Sequence, residues 1–241
     1  MIKLEDNLGL PVMLDNQSNT LVFDEDVTRV TNIRRYKVRN LRRYLLNNDL
    51  KYPEDIYITY SDIYNRDGIR PKYKVDVTII PENLLGIEYT KTTPRRVLCK
   101  GEKYRIAISL YGSSNLIIQE RKKFPQEIYL IKLEKNSVVF IPSGYHYQFI
   151  NSRPTTAVVA EVYRSRIVQS RSLKPKRGMS YYMICKNAKQ EIVQNPAYKH
   201  IADVKKLKSE EFTNIFFKHS NLIKNPIYSV LEDLNLKGII V

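Results

Sequence analysis

Tryptophan is absent, cysteine occurs twice and histidine three times in 241 residues. Two cysteines so far apart, Cys99 and Cys185, cannot build the disulfide framework of a small secreted domain, and their spacing fits no zinc motif. Both are expected as reduced, buried thiols of a cytoplasmic protein, with a single disulfide open only to a hyperthermophile. No apolar run approaches the roughly 20 residues of a membrane helix, which excludes a helical span. The first ten residues, "MIKLEDNLGL", carry acids where a secretory signal is basic and lack its apolar core, so no signal peptide is expected. Internal repeats and low-complexity tracts are missing too. His200 and His219 stand at no spacing that suggests a site.

What is abundant is tyrosine, 18 residues, and positive charge: 40 Lys and Arg against 25 Asp and Glu, a net +15. With 43% hydrophobic residues the chain can bury a core, and its length suits one ordinary domain with an extension, or two small ones. The charge argues about partners rather than fold. It favours polyanions (nucleic acid, phosphorylated ligands or an anionic membrane face); a generally basic surface without a dedicated partner is the other reading.

The first thirty residues are acidic, and "NTLVF" after the "DNQSN" turn predicts a short strand. The sign then flips in "NIRRYKVRNLRRYLLNN". Val38, Leu41 and Leu45 recur at helical spacing, which predicts an amphipathic helix with Arg34, Arg35, Arg39, Arg42 and Arg43 on its exposed face. From 55 to 163 short apolar or alternating runs recur between turn residues: "IYITY", "YKVDVTII", "RIAISL", "NLIIQ", "EIYLIKL", "SVVFIP", "YQFIN" and "TAVVAEVY". Many short strands at regular spacing predict an antiparallel sandwich or barrel. Residues 164–177 form a basic loop without an acid. "GMSYYMICKNAKQEIVQ" predicts a hairpin with its turn in "KNAKQ", and 201–241 reads as more helical, ending in the apolar "LKGIIV". The expected units are 1–54, strands and a basic helix packing on the barrel; 55–200, the barrel; and 201–241, a C-terminal extension.

In "IPSGYHYQFIN" a histidine follows a Pro-and-Gly turn at the mouth of a hairpin, where a metal ligand can sit. The longer segment "SVVFIPSGYHYQFINSRPTTAVVAEVY" resembles the second sequence motif of cupins, and the chain resembles the cupin-type phosphoglucose isomerases of archaea. The likeness covers roughly residues 9–200. "LPVMLDNQSNTLVF" resembles their N-terminal strands, "VDVTIIP" a strand with a substrate-contacting Thr, "IEYTK" the approach to their first motif, and "GMSYYMICKNAKQEIVQNPAYK" their closing hairpin. The resemblance implies an all-β cupin barrel (a double-stranded β-helix, or jelly roll), here with an N-terminal helix and a helical C-terminal extension, and a homodimer.

The resemblance also implies a metal site, and here the sequence departs from it. The family's first motif is Thr-Lys-Gly-His-x-His, followed by a Glu that serves as metal ligand and proposed base and by a Tyr. In "TKTTPRRVLCKGEKY" Thr90 and Lys91 match, Thr92 replaces the Gly, and Thr93 and Arg95 stand at the two His positions. Glu102 and Tyr104 match the Glu and the Tyr. The second-motif His aligns with Tyr147 rather than His146, and a later His with Gln169. Adjacent strand residues face opposite sides, so a Tyr147 that points into the barrel turns His146 away from it.

The divalent ion of such a site needs neutral imidazoles and a carboxylate, and a guanidinium brings a fixed positive charge to the place of the cation. No metal and no other cofactor is therefore expected, and an ion pair of Arg95 is expected in its place, Glu102 with Arg95, Arg105 or Lys103 being the pairing weighed. By resemblance Thr78, Thr90 and Lys91 would hold a phosphate, and Glu102 would be the base of any retained isomerisation. Basic residues form three clusters: the arginines of 34–43; Arg95, Arg96, Arg121, Lys122 and Lys123; and Arg164, Arg166, Arg171, Lys174, Lys176 and Arg177. Arginine forks take phosphates bidentately and tyrosines stack on unpaired bases. Three readings follow: a non-catalytic cupin binding nucleic acid or a ribonucleoprotein, a sugar-phosphate isomerase with a rebuilt site, and an assembly subunit that docks a protein partner through 201–241.

Overall fold

The computed structural model describes residues 1–67, 73–97, 104–164 and 178–216. Three short strands, β1 (Ile2–Lys3), β2 (Val12–Asp15) and β3 (Thr20–Phe23), make an antiparallel sheet, with one helical turn, α1 (Glu5–Leu8), after the first. β4 (Thr28–Lys37) runs into the single turn α2 (Val38–Leu41) and a 3-10 turn at Arg42–Tyr44. β5 (Asp55–Asn65), β6 (Tyr73–Ile80), β7 (Leu84–Leu85), β8 (Glu88–Lys91) and β9 (Arg95–Arg96) follow. β10 (Tyr104–Tyr111), β11 (Ser114–Glu120), β12 (Ile128–Leu133), β13 (Val138–Pro142), β14 (Tyr145–Asn151) and β15 (Ala157–Arg164) complete the barrel. The hairpin β16 (Tyr181–Lys186) and β17 (Lys189–Gln194), then β18 (Lys205–Lys208) and α3 (Ser209–Phe216), close it.

The barrel has two walls. One is a six-stranded sheet in the order β13-β10-β15-β6-β5-β4; the other runs β17-β16-β8-β14-β11-β12-β18, with β7 on β8 and β9 on β14. Alternation explains how one strand serves two cores. In β6, β10 and β15, residues such as Val75, Val77, Ile106, Ile108, Val158 and Ala160 face Leu8, Val12 and Leu14 of the N-terminal layer. Their neighbours Ala107 and Val159 face Leu116, Ile118, Tyr147 and Phe149 across the barrel. The six-stranded wall is therefore covered on both sides, and its runs read as continuous apolar stretches rather than clean alternation.

Turns sit where the sequence signals them. Asn187 and Ala188 take positive φ, 50° and 58°, in the two-residue loop between β16 and β17, as a tight hairpin requires. Gly112, which carries the chain from one wall to the other, has φ +66°, and a Cβ there would lie 2.3 Å from the Thr156 carbonyl oxygen. That position admits glycine alone.

Two stretches expected as helix begin as strand. The basic stretch is a strand as far as Lys37 and helical only from Val38. The open edge of β5 supplies backbone partners to residues 28–37, and Tyr36 stacks on Tyr57 at 4.2 Å. Val38, Leu41 and Leu45 are buried as their spacing implies. In the C-terminal extension, Lys205–Lys208 adds to β12 as a parallel strand, which turns Leu207 toward the core. Helix begins at Ser209, where the Glu211 carboxylate accepts the Lys208 N–H at 2.8 Å. Residues 201–216 thus form part of the barrel, with Phe212 fully buried against Tyr129.

Candidate functional site

The barrel interior holds a charged cluster. β9 pairs with β14 so that Arg95 lies opposite Tyr147 and Arg96 opposite His146. Arg95 and Tyr147 turn inward. Facing them from β15 is Glu161, 1% exposed amid the apolar run 157–162. Arg95 Nη1 pairs with Glu161 Oε2. Tyr147 donates its hydroxyl to Glu161 Oε1 at 2.5 Å, and Arg105 Nη1 donates to the Tyr147 oxygen at 2.9 Å while lying 3.5 Å from the same Oε1. Arg95 Nη2 also donates to Thr78 at 3.2 Å and Thr59 at 3.4 Å. Glu161 is therefore the hub between two guanidiniums, with both oxygens engaged.

A second tier flanks the hub. The Arg105 guanidinium lies 4.4 Å from the Tyr163 ring centre, and Tyr163 donates to the Asp76 carboxylate at 3.1 Å. Burial raises the Asp76 carboxyl above its ordinary value, against the opposing pull of the Asp62 N–H and Arg95. On the other side Tyr57 exchanges hydrogen bonds with Thr93, 3.0 Å to its hydroxyl and 3.1 Å from its backbone N–H, and burial pushes the Tyr57 phenol up to about 12.

These groups do not suit a divalent ion. At the place of the resembled ligands stand a guanidinium already bound to its carboxylate, a threonine bonded to Tyr57 and a tyrosine bonded to Glu161. Among the described residues no three His, Cys, Asp or Glu gather in one place. Nor is Glu161 placed as a general base: it is buried and ion-paired with Arg95, and a proton acceptor must reach its substrate.

The sequence-derived candidates divide. Arg95, Tyr147 and Thr78 meet in the cluster, with Thr93 beside it. His146 is buried on the opposite face of β14, as alternation requires, near Gln119 and Arg96. Tyr104 sits at the rim and donates to the Phe216 carbonyl at 3.1 Å. Thr90 donates to the Asn83 carbonyl at 2.9 Å. Lys91 is buried, paired with Glu88, and donates to the Tyr44 carbonyl at 2.9 Å. Thr78, Thr90 and Lys91 thus serve three different partners. Glu102, Gln169, Cys99, Arg166, Arg171, Lys174, Lys176 and Arg177 lie outside the described residues, as does the Arg164 side chain. Cys185 is half-buried, not enclosed as expected. Glu161 and Asp76 are the residues that motif reasoning passes over; the signal for them is a lone acid in each of the apolar runs "TAVVAEVY" and "YKVDVTII".

Residues 47–201 match the family Glucose-6-phosphate isomerase (GPI). The chain belongs to the glucose-6-phosphate isomerase family. Its barrel is of the cupin type. Similar solved structures include a cupin 2 conserved barrel domain protein from Rhodopseudomonas palustris, 11% identical over 61% of this chain and 79% of that one, TM-score 0.38. A cupin-2 domain from Rhodospirillum rubrum is 10% identical over 61% and 77%, TM-score 0.38. The Drosophila melanogaster CENP-C cupin domain is 13% identical over 49% and 77%, TM-score 0.31. No curated protein matches the chain.

Among the described residues, the arginines of 34–43 and those of the second cluster lie apart. Registers put Arg39, Arg42 and Arg43 beyond the end of β4, where Lys37 pairs with Asp55. Arg121 begins the turn after β11 and donates its backbone N–H to Gly144 at the other end of the barrel. Burial and the charge of Arg121 lower the affinity of Arg96 for its proton. No helix among the described residues is long and apolar enough to cross a membrane.

Proposed function

We propose that this chain is a non-catalytic cupin of the isomerase family that binds a polyanion, nucleic acid or a ribonucleoprotein, through exposed arginines. The observation that carries the reading is the Arg95–Glu161–Arg105 cluster. It fills the barrel with paired charge, spends its buried carboxylate on guanidiniums and leaves the surplus of positive charge on the outside, where it can attract phosphates.

The family match favours a second reading, isomerisation of a sugar phosphate at a rebuilt site. In that case Thr78 and Arg95 would contact the phosphate and Glu102 would move the proton. One pair of measurements separates the two: elemental analysis of the purified protein, and turnover of fructose 6-phosphate. The binding-protein reading expects neither stoichiometric metal nor turnover. Turnover that disappears in Glu102→Gln would overturn it.

A further inference from the structure

Residues 34–51 carry seven basic side chains against one acid. They gather at one corner of the barrel, where β4 ends and β5 begins. Arg34 and Arg35 are exposed on the edge strand, Arg39 on α2, and Arg42 and Arg43 on the 3-10 turn. None of these five pairs with a carboxylate among the described residues. Of the acids near this corner, Glu54 is held by Lys37, while Asp49 and Asp55 are exposed. Two of the guanidiniums rest on rings: Arg34 lies 4.7 Å from the centre of Tyr36, and Arg43 4.8 Å from that of Tyr44. Tyr36 is itself stacked on Tyr57. Guanidiniums resting on rings lose less freedom when they take a ligand.

The same corner holds an unused aromatic. Val38 N–H donates to the Glu54 carbonyl at 2.9 Å, which lays residues 52–54 beside α2. Tyr52 is 77% exposed there, and among the described residues its ring touches no other. The platform beneath is fixed from inside. Lys91 holds the Tyr44 carbonyl, Glu88 accepts the Leu46 N–H, and Gly178 brings its backbone close enough that a Cβ would lie 3.4 Å from the Tyr44 oxygen.

We propose that this corner is a binding site for single-stranded nucleic acid, with Arg34, Arg39, Arg42 and Arg43 on phosphates and Tyr52 stacked on an unpaired base. The inference rests on the polyanion reading above and adds the place and the form of the ligand. A duplex hides the faces of its bases, so it can use the arginines but not the ring. An acidic peptide satisfies the arginines and offers Tyr52 no flat partner.

Fluorescence anisotropy of the full chain tests this, with a labelled single strand, the matching duplex and polyglutamate as competitor, each over a salt series. The expected result is tighter binding of the single strand than of the duplex. Tyr52→Ala should weaken the single strand by about tenfold, leave the duplex unchanged and be rescued by Tyr52→Phe. Arg42→Ala with Arg43→Ala should reduce the salt slope by about two. Equal binding of both forms with Tyr52→Ala silent overturns the single-strand site and leaves the polyanion reading standing. Displacement by polyglutamate as effective as by the oligonucleotide overturns it in favour of an acidic protein. Failure to bind any polyanion removes the polyanion reading itself.

Discussion

Arginine does two kinds of work in this molecule. Inside the barrel Arg95 and Arg105 share one carboxylate, Glu161, and are fixed by a tyrosine, two threonines and an aromatic face. At the corner of β4 two of the arginines have rings beneath them, and none pairs with a carboxylate among the described residues. A buried charge must be paired because desolvation costs several kcal/mol per ion; an exposed one can stay unpaired because water and salt screen it. The first group can contribute to stability and gives up availability, and the second does the reverse. The contrast also explains why a high net charge is compatible with a filled core.

The sharpest way to break the contrast is Glu161→Gln. It keeps the shape and leaves two guanidiniums without their counter-charge, so urea unfolding should show a loss of about 4 kcal/mol. Lys91→Met comes next, because it strands Glu88 in the interior: about 3 kcal/mol is expected, and hydrogen exchange at the Leu46 amide should quicken before global unfolding. Asp76 gives a smaller, pH-dependent effect. Burial holds its folded pKa above the ordinary carboxylate value, so the folded state keeps its proton longer than the unfolded chain does. That stabilisation is complete below the unfolded value and is lost as pH rises through the folded one. Comparing wild type with Asp76→Asn across that window should show a downward component with rising pH in the wild type alone. The smallest effect belongs to the outer group. Arg42→Ala with Arg43→Ala should change stability by about 0.5 kcal/mol or less; a loss as large as that of Glu161→Gln would erase the distinction between the two regions.

Strand runs were the legible part of the sequence. "YKVDVTII" coincides with β6 and "KNAKQ" brackets the observed hairpin turn, because period-two burial and turn residues are local signals. The basic segment was legible only from Val38 onward. Its first half carries residues that suit a helix, and the edge of β5, a non-local partner, makes it a strand. Lys205–Lys208 differs for the same reason, since the edge of β12 lies more than seventy residues away in the chain. In the barrel, motif alignment marked Arg95 and Tyr147 but could not supply the partner of Arg95. Glu161 comes from another strand, and only the oddity of an acid among valines and alanines points to it.

β18 joins β12 in parallel, the one such pairing among the described strands, and α3 follows it to seat Phe212 against Tyr129. The pieces that complete this wall are thus synthesised well after the strand they cover. While the chain grows from its N-terminus, Tyr129, Ile131 and Val139 have no cover on this side until residue 212 has emerged. The half-made barrel presents an aromatic opening and the free edge of β12 to whatever is nearby, so the step from growing chain to closed barrel is when this protein is most exposed to aggregation or to capture by a chaperone.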